Sequence, residues 1–85
     1  MRNWRLLDRI RRGEVQNVAF GEFVALVEAL GFRLERVRGS HRIYRHPAVP
    51  RPVPLQPARG KAKPYQVRQL LRLMEEYNLP GEVER

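Results

Sequence analysis

The chain has no cysteine among its 85 residues, and this absence excludes several kinds of chemistry at once. It leaves no disulfide framework, no thiolate nucleophile and no zinc-finger spacing. There are only two histidines, and the acidic residues lie mostly in predicted helices, so no recurring metal-ligand spacing is present either. We therefore expect neither a metal nor another cofactor. The lack of cysteine also suits the reducing environment of the cytoplasm.

Long apolar runs are missing as well. No segment approaches the roughly 20 apolar residues that cross a bilayer. The arginine-rich N-terminus lacks the continuous apolar stretch of a signal peptide. We expect a cytoplasmic protein with no membrane partner. A chain of 85 residues forms a single domain with a small core, and such a core leaves little room for a deep cavity that would hold a small-molecule ligand.

Acidic residues are few relative to basic ones. The chain carries 17 Lys and Arg against 9 Asp and Glu, a net charge of +8, which favours a polyanion or an acidic protein as partner. All but two of the basic residues are arginines, a bias that genome base composition or thermal adaptation could also produce. The two lysines, Lys61 and Lys63, are clustered, and this clustering is the more informative feature.

Hydrophobic periodicity and turn residues divide the chain into a short helix, a longer helix, a hairpin, an edge strand and a final helix. A short helix over 4–12 belongs to an N-terminal extension, 1–15, and the last residues, 80–85, form a tail. In the core, 16–79, apolar spacing predicts a helix that starts at Phe20 and ends at Gly31, where Phe32 folds back on Val27. Two strands, 33–38 and 41–46, follow around a two-residue turn. A second long helix begins at Pro64, with Val67, Leu70, Leu71, Met74 and Tyr77 as its apolar stripe, and Asn78 can end it.

The segment between the hairpin and the last helix is rich in proline. Five of the seven prolines lie between Pro47 and Pro57, so this segment can form only a loop and a brief edge strand over 53–56, with its proline side in solvent. The sequence predicts a basic loop over residues 59–63. In the strand before the turn, Leu34 and Val37 would point to opposite faces, so either a bulge intervenes or one of them is exposed.

His41 is the residue with the clearest chemical potential. Cleavage of RNA needs a group that removes or supplies a proton and positive charge over the phosphate, and His41 is followed and preceded by arginines. Strand alternation places His41 on the face opposite His46, so the two histidines are poor partners. An exposed hairpin histidine without a role remains the alternative. Ser40 is more plausibly a structural turn residue than a nucleophile, because no orienting acid is evident.

Positive charge near the turn and before the last helix supplies candidate RNA contacts. Lys61 and Lys63 precede a helix N-terminus, where free amides favour anions, and Arg68 and Arg72 could extend this phosphate clamp along the helix. The full set of expected RNA-binding residues is Arg36, Arg38, Gly39, Ser40, Arg42, Lys61 and Lys63.

Several of these residues together resemble the HicA toxins of bacterial toxin–antitoxin pairs. The resemblance covers about 16–79 and rests on Gly31-Phe32, Arg36, Gly39-Ser40-His41, Tyr44, the short third strand and the closing amphipathic helix. It implies an α+β fold like that of double-stranded-RNA-binding domains, α-β-β-β-α. In such a fold a small three-stranded antiparallel sheet packs on two helices, here with an extra short N-terminal helix. It further implies cleavage of mRNA with His41 as the catalytic position, and a HicB-type antitoxin as partner.

Two departures from the family pattern keep other functions open. The family often has a further histidine where this chain has Gln56, and it usually enters the last helix through a different segment from Lys63-Pro64-Tyr65-Gln66. A non-catalytic RNA-binding module of the same fold is therefore the second hypothesis. A protein-interaction domain whose basic face serves an acidic partner is the third.

Overall fold

The computed structural model describes residues 3–79, so the first two residues and the predicted tail at 80–85 lie outside the described part. Its helices are α1 (Asn3–Arg11), α2 (Phe20–Ala29) and α3 (Pro64–Glu76). Its strands are β1 (Arg33–Arg38), β2 (His41–His46), β3 (Val49–Leu55), β4 (Pro57–Ala58) and β5 (Lys61–Ala62). The predicted α+β fold is confirmed: β1, β2 and β3 form one antiparallel sheet in that order, and β4 and β5 form a separate small hairpin.

Both long helices end as their sequences predict. Gly31, at a φ of 102°, ends α2, and the Phe32 N–H donates to the Val27 carbonyl at 3.3 Å, as in a Schellman motif. Asn78, at a φ of 51°, ends α3, and the Leu79 N–H donates to the Met74 carbonyl at 2.9 Å. These endings turn Phe32 and Leu79 back into the core, where both are buried.

The core lies between the helices and one face of the sheet. α1 packs against α2 and α3 and contributes Leu6, Leu7 and Ile10, all buried. The predicted apolar stripe of α3 was partly wrong, because Leu73 and Gln66 are buried while Leu71 and Tyr77 are only partly covered. The buried face of α3 is therefore formed by Gln66, Val67, Leu70, Leu73 and Met74.

A bulge changes the course of β1. Leu34 pairs with Tyr44 and Arg36 with Ile43, so Glu35 is an extra residue on this strand. The extra residue places Leu34 and Val37 on the same, helix-facing side of the sheet. Both of the alternatives raised by the sequence occur together, since the bulge is present and the two side chains remain 42% and 57% exposed.

The third strand is longer than predicted. β3 spans Val49–Leu55 rather than 53–56, and its register with β2 shifts between the Tyr44–Val53 and His46–Val49 pairs. Val49, Val53 and Leu55 are buried, while Pro50, Pro52 and Pro54 are exposed. A strand at a sheet edge needs backbone donors on one side only, so alternate prolines do not interrupt it.

The prediction of a basic loop over 59–63 was wrong. This segment contains β5 and the turn of the β4–β5 hairpin, in which Arg59 and Gly60 have φ values of 55° and 79°. The Phe20 N–H donates to the Gly60 carbonyl at 2.9 Å, and the Ala62 N–H donates to the Val18 carbonyl at 2.8 Å. The hairpin is thereby attached to the segment before α2, and Ala62 joins the core.

Candidate nucleic-acid interface

The face of the sheet that points away from the helices is strongly basic. Residues paired across neighbouring strands share a face, and the pairs here are Arg38 with His41, Arg36 with Ile43 and Arg33 with Arg45. His41 therefore lies on the same surface as four exposed arginines, which we call the open face. Arg45 lies 3.4 Å from Glu35, but both groups are well exposed, so this ion pair neutralises little of the surface.

The turn before His41 depends on a glycine conformation. Gly39 has a φ of 60° at the first central position of a two-residue hairpin loop, which is typical of a type II′ turn. A Cβ on Gly39 would meet no atom within 4 Å, so backbone conformation rather than space favours glycine here. The turn fixes the register in which Arg38 and His41 face each other.

The His41 side chain is exposed and accessible to a ligand. It lines a shallow depression together with Arg38, Gly39 and Ile43, and it makes no hydrogen bond to any other residue in 3–79. An imidazole with an available nitrogen can accept or donate a proton at neutral pH. The neighbouring guanidinium of Arg38 supplies the charge that a phosphate requires.

Arg42 is not brought together with His41. It pairs with Val37 on one side and Leu55 on the other, so it lies on the helix-facing side of the sheet. On that side its charge acts on the Tyr44 hydroxyl. Burial and the hydrogen bond to Glu28 raise the pKa of Tyr44 above 10.0, and the positive charge of Arg42 offsets part of this increase. Strand alternation alone would have replaced Arg42 with Arg45 in the expected set of RNA contacts. Arg33 shares that face only because of the bulge at Glu35.

Gln56 connects the turn to the start of α3, and sequence reasoning had treated it only as a departure from the family pattern. Its side-chain N–H donates to the Ser40 hydroxyl at 2.9 Å, and its side-chain oxygen accepts from the Lys63 ammonium at 3.2 Å. We call this chain of three side chains the Gln56 bridge. It places the charge of Lys63 two hydrogen bonds from the residue before His41.

Lys61 is placed differently from Lys63. It lies in β5, is exposed, and takes no part in the Gln56 bridge. Its backbone pairs with Ala58 and Ala19. Of the two expected lysine contacts, Lys63 is thus held near the turn, whereas Lys61 lies in the β4–β5 hairpin.

A buried glutamine binds the backbone next to the Gln56 bridge. Gln66, in the first turns of α3, is 4% exposed. Its side-chain oxygen accepts a hydrogen bond from the backbone N–H of Gln56 at 3.2 Å, and its side-chain nitrogen donates one to the Pro54 carbonyl at 3.4 Å. The sequence carries one signal of this role, because a glutamine occupies a position on the apolar face of α3.

His46 has a structural role at the far end of β2. Its Nδ1 accepts from the Ala48 N–H at 3.0 Å, so Nε2 carries the proton that is donated to the Leu30 carbonyl at 3.1 Å. Its ring contacts Phe32 with a centroid separation of 4.9 Å. Both ring nitrogens are therefore occupied, and His46 cannot assist His41.

Within residues 3–79 no three histidine, cysteine, aspartate or glutamate residues are grouped closely enough to hold a metal ion. No helix in the same range combines the length and apolarity needed to span a bilayer.

Comparison with protein families places a family match over most of the core. The model of the HicA toxin of bacterial toxin–antitoxin systems matches residues 20–75, which include α2, the whole three-stranded sheet, the Gln56 bridge and most of α3. Neither the curated proteins nor the solved structures contain a match to the chain.

Proposed function

Because the chain belongs to the HicA toxin family, we propose that it is the toxin of a toxin–antitoxin pair and that it cleaves mRNA on its open face. The family consists generally of ribonuclease toxins. The observation that carries the proposal for this chain is the position of His41 among Arg33, Arg36, Arg38 and Arg45 on one exposed surface. A proton-transfer group inside a field of guanidinium groups is what phosphodiester cleavage requires.

In the proposed reaction, the arginines hold the RNA backbone across the sheet. His41 takes the proton of a ribose 2′-hydroxyl as general base, and the O2′ atom attacks the adjacent phosphorus while the bond from phosphorus to O5′ breaks. The leaving O5′ takes its proton from water. The products are a 2′,3′-cyclic phosphate and a 5′-hydroxyl. In the alternative form of the step, His41 protonates the leaving O5′ as general acid and water takes the proton of the 2′-hydroxyl. Arg38, directly across the hairpin from His41, stabilises the additional negative charge on the phosphate.

The proposed protein partner is an antitoxin of the HicB type, in the cytoplasm where mRNA is available. Coverage of the open face would exclude RNA and occupy the surroundings of His41. The net charge of +8 favours an antitoxin surface that is acidic at the contact.

The second candidate is an RNA-binding module without catalysis. It is favoured by the Gln56 bridge, because the position where the family often has a further histidine is here occupied by an amide that is bound to Ser40 and Lys63. Such a site would grip RNA through the same charges and leave it intact.

Incubation of the purified protein with mRNA in the presence of a metal chelator separates these functions. Fragments that end in 2′,3′-cyclic phosphate support the ribonuclease. Retardation of the RNA in a gel without fragments supports the binding module. If RNA is neither cleaved nor bound at physiological salt, the protein-interaction hypothesis replaces both.

A further inference from the structure

The two edges of the three-stranded sheet differ in their backbone hydrogen-bonding capacity. A two-residue hairpin makes Arg38 and His41 a hydrogen-bonded pair, so Ile43 and Pro54 form a non-hydrogen-bonded pair on the other side of β2. The nitrogen of Pro54 therefore faces outward. Pro52 and Pro50 lie where the β2–β3 register shifts, and as prolines neither has an N–H to donate. With three of its seven residues lacking a backbone donor, β3 is a poor edge for pairing with another strand.

The same register leaves the outer edge of β1 available for pairing with another strand. Val37 and Arg42 form the non-hydrogen-bonded pair next to the turn, so the N–H and C=O groups of Val37 point away from the sheet. No other strand within residues 3–79 pairs with this side of β1. All six residues of β1 are exposed. The sheet thus presents one available edge and one edge that is poor for pairing.

Apolar side chains lie along the available edge. The described residues include three exposed large hydrophobic side chains, and two of them, Leu34 and Val37, are on β1. The bulge at Glu35 places both on the helix-facing side, beyond the part of the sheet that the helices cover. A cleft that includes Phe32 and Leu34 continues this apolar strip past the beginning of the strand.

The other side of the same strand is basic and disfavours self-association. Arg33, Arg36 and Arg38 lie on the open face. Antiparallel pairing of two copies of β1 would bring these arginines together, in chains that each carry a net charge of +8. An acidic strand would meet opposite charge along the same edge.

We propose that β1 receives an extended strand from an acidic partner protein, which adds a fourth strand to the sheet. Alternate residues of that strand would be apolar, against Leu34 and Val37, and acidic, against Arg36 and Arg38. Backbone hydrogen bonds to Val37 would provide the register. This contact surface is defined by the sheet edge and does not depend on ribonuclease activity.

A synthetic peptide tests the proposal. The probe is a capped peptide of about eight residues in which glutamate and valine alternate, long enough to pair with all of β1. We expect it to bind the full chain, to slow hydrogen exchange of the Val37 amide, and to shift the NMR signals of Leu34 and Val37. A peptide with lysine in place of glutamate should bind at least about tenfold more weakly, because each like-charge contact opposes pairing.

Two substitutions at Val37 distinguish edge pairing from general attraction. Val37→Pro removes the outward N–H and should weaken peptide binding about tenfold, whereas Val37→Thr keeps the N–H and the branched shape and should bind within about threefold of the original chain. Unchanged binding by Val37→Pro would overturn the proposal. So would peptide-induced shifts confined to His41, Ile43 and Arg45, which would indicate attraction to the open face. If Val37→Pro fails to fold, exchange of the Val37 amide in the original chain decides the question.

Discussion

The side-chain amide of Gln56 donates a hydrogen bond of 2.9 Å to the hydroxyl of Ser40, the residue that precedes His41. The same amide group receives a hydrogen bond from Lys63 through its oxygen. The turn that positions the proposed catalytic histidine is thus connected to a cation at the start of α3. This connection gives the basic surface a defined geometry rather than a general excess of charge.

Replacement of Gln56 by alanine should weaken RNA binding more than it weakens the fold. Loss of the bridge frees Lys63 from its position near the turn, and we expect RNA affinity to fall about three- to tenfold, as for the loss of one positioned charge contact. The free energy of unfolding should fall by no more than about 1.5 kcal/mol. Gel retardation and urea unfolding provide the two measurements.

Gln16→Ala is the matched control for that change, because Gln16 is exposed and lies in the connector before α2. It should leave RNA affinity unchanged. An equal loss of affinity in both variants would show that the Gln56 bridge has no specific role.

Replacement of the buried Gln66 by leucine should destabilise the protein. The change leaves the Gln56 N–H and the Pro54 carbonyl without their side-chain partner, which costs about 1–3 kcal/mol of unfolding free energy. Gln69→Leu, at a less buried position of the same helix, should change stability by about 0.5 kcal/mol or less. Urea unfolding of the two variants compares them directly, and equal stabilities would contradict the role assigned to Gln66.

How much of this arrangement could be read from the sequence depends on the range of the contacts. The ends of α2 and α3 and the hairpin turn were predictable, because Gly31, Asn78 and Gly39 determine local backbone conformation. The Gln56 bridge was not, because it joins side chains of three separate segments, and hydrophobic periodicity gives no partner for a polar group. Alternation indicated an irregularity in β1 but could not decide its form, since that depends on how far the helices extend over the sheet.

Two arginines of the hairpin should differ sharply in their contribution to RNA binding. Arg38 lies on the open face across from His41, and Arg42 lies on the helix-facing side. Arg38→Gln should lower RNA affinity and reduce the slope of log affinity against log salt by about 0.7, the value for one lost contact to single-stranded RNA. Arg42→Gln should leave that slope nearly unchanged. A salt titration of each variant gives the result, and equal slopes would contradict the open face as the RNA surface.

Tyr44 should make the fold sensitive to alkaline conditions. Burial and the Glu28 hydrogen bond raise the pKa of Tyr44 above 10.0 in the folded state, so the folded chain keeps a proton that the unfolded chain loses. This contribution to stability is complete below pH 10.0 and is lost as the pH rises through the folded-state pKa. Tyr44→Phe should lower stability by about 0.5–1.5 kcal/mol at neutral pH.

The difference between the original chain and Tyr44→Phe should therefore shrink above pH 10.0, as measured by denaturant unfolding at a series of pH values. Tyr65→Phe serves as the control, because Tyr65 is 55% exposed. A difference for Tyr44→Phe that stays constant through the alkaline range would show that Tyr44 is not protected from ionisation by the fold.

Cleavage of mRNA by His41→Ala, compared with the original chain in the presence of a metal chelator, tests the central claim most directly. The His41 side chain makes no hydrogen bond to another residue within 3–79, so its loss should leave the fold and, to within a few-fold, the RNA affinity intact. The account predicts that cleavage falls by about 10²–10⁴, the contribution of a general acid or base. Cleavage at an unchanged rate, with RNA affinity also unchanged, would contradict it.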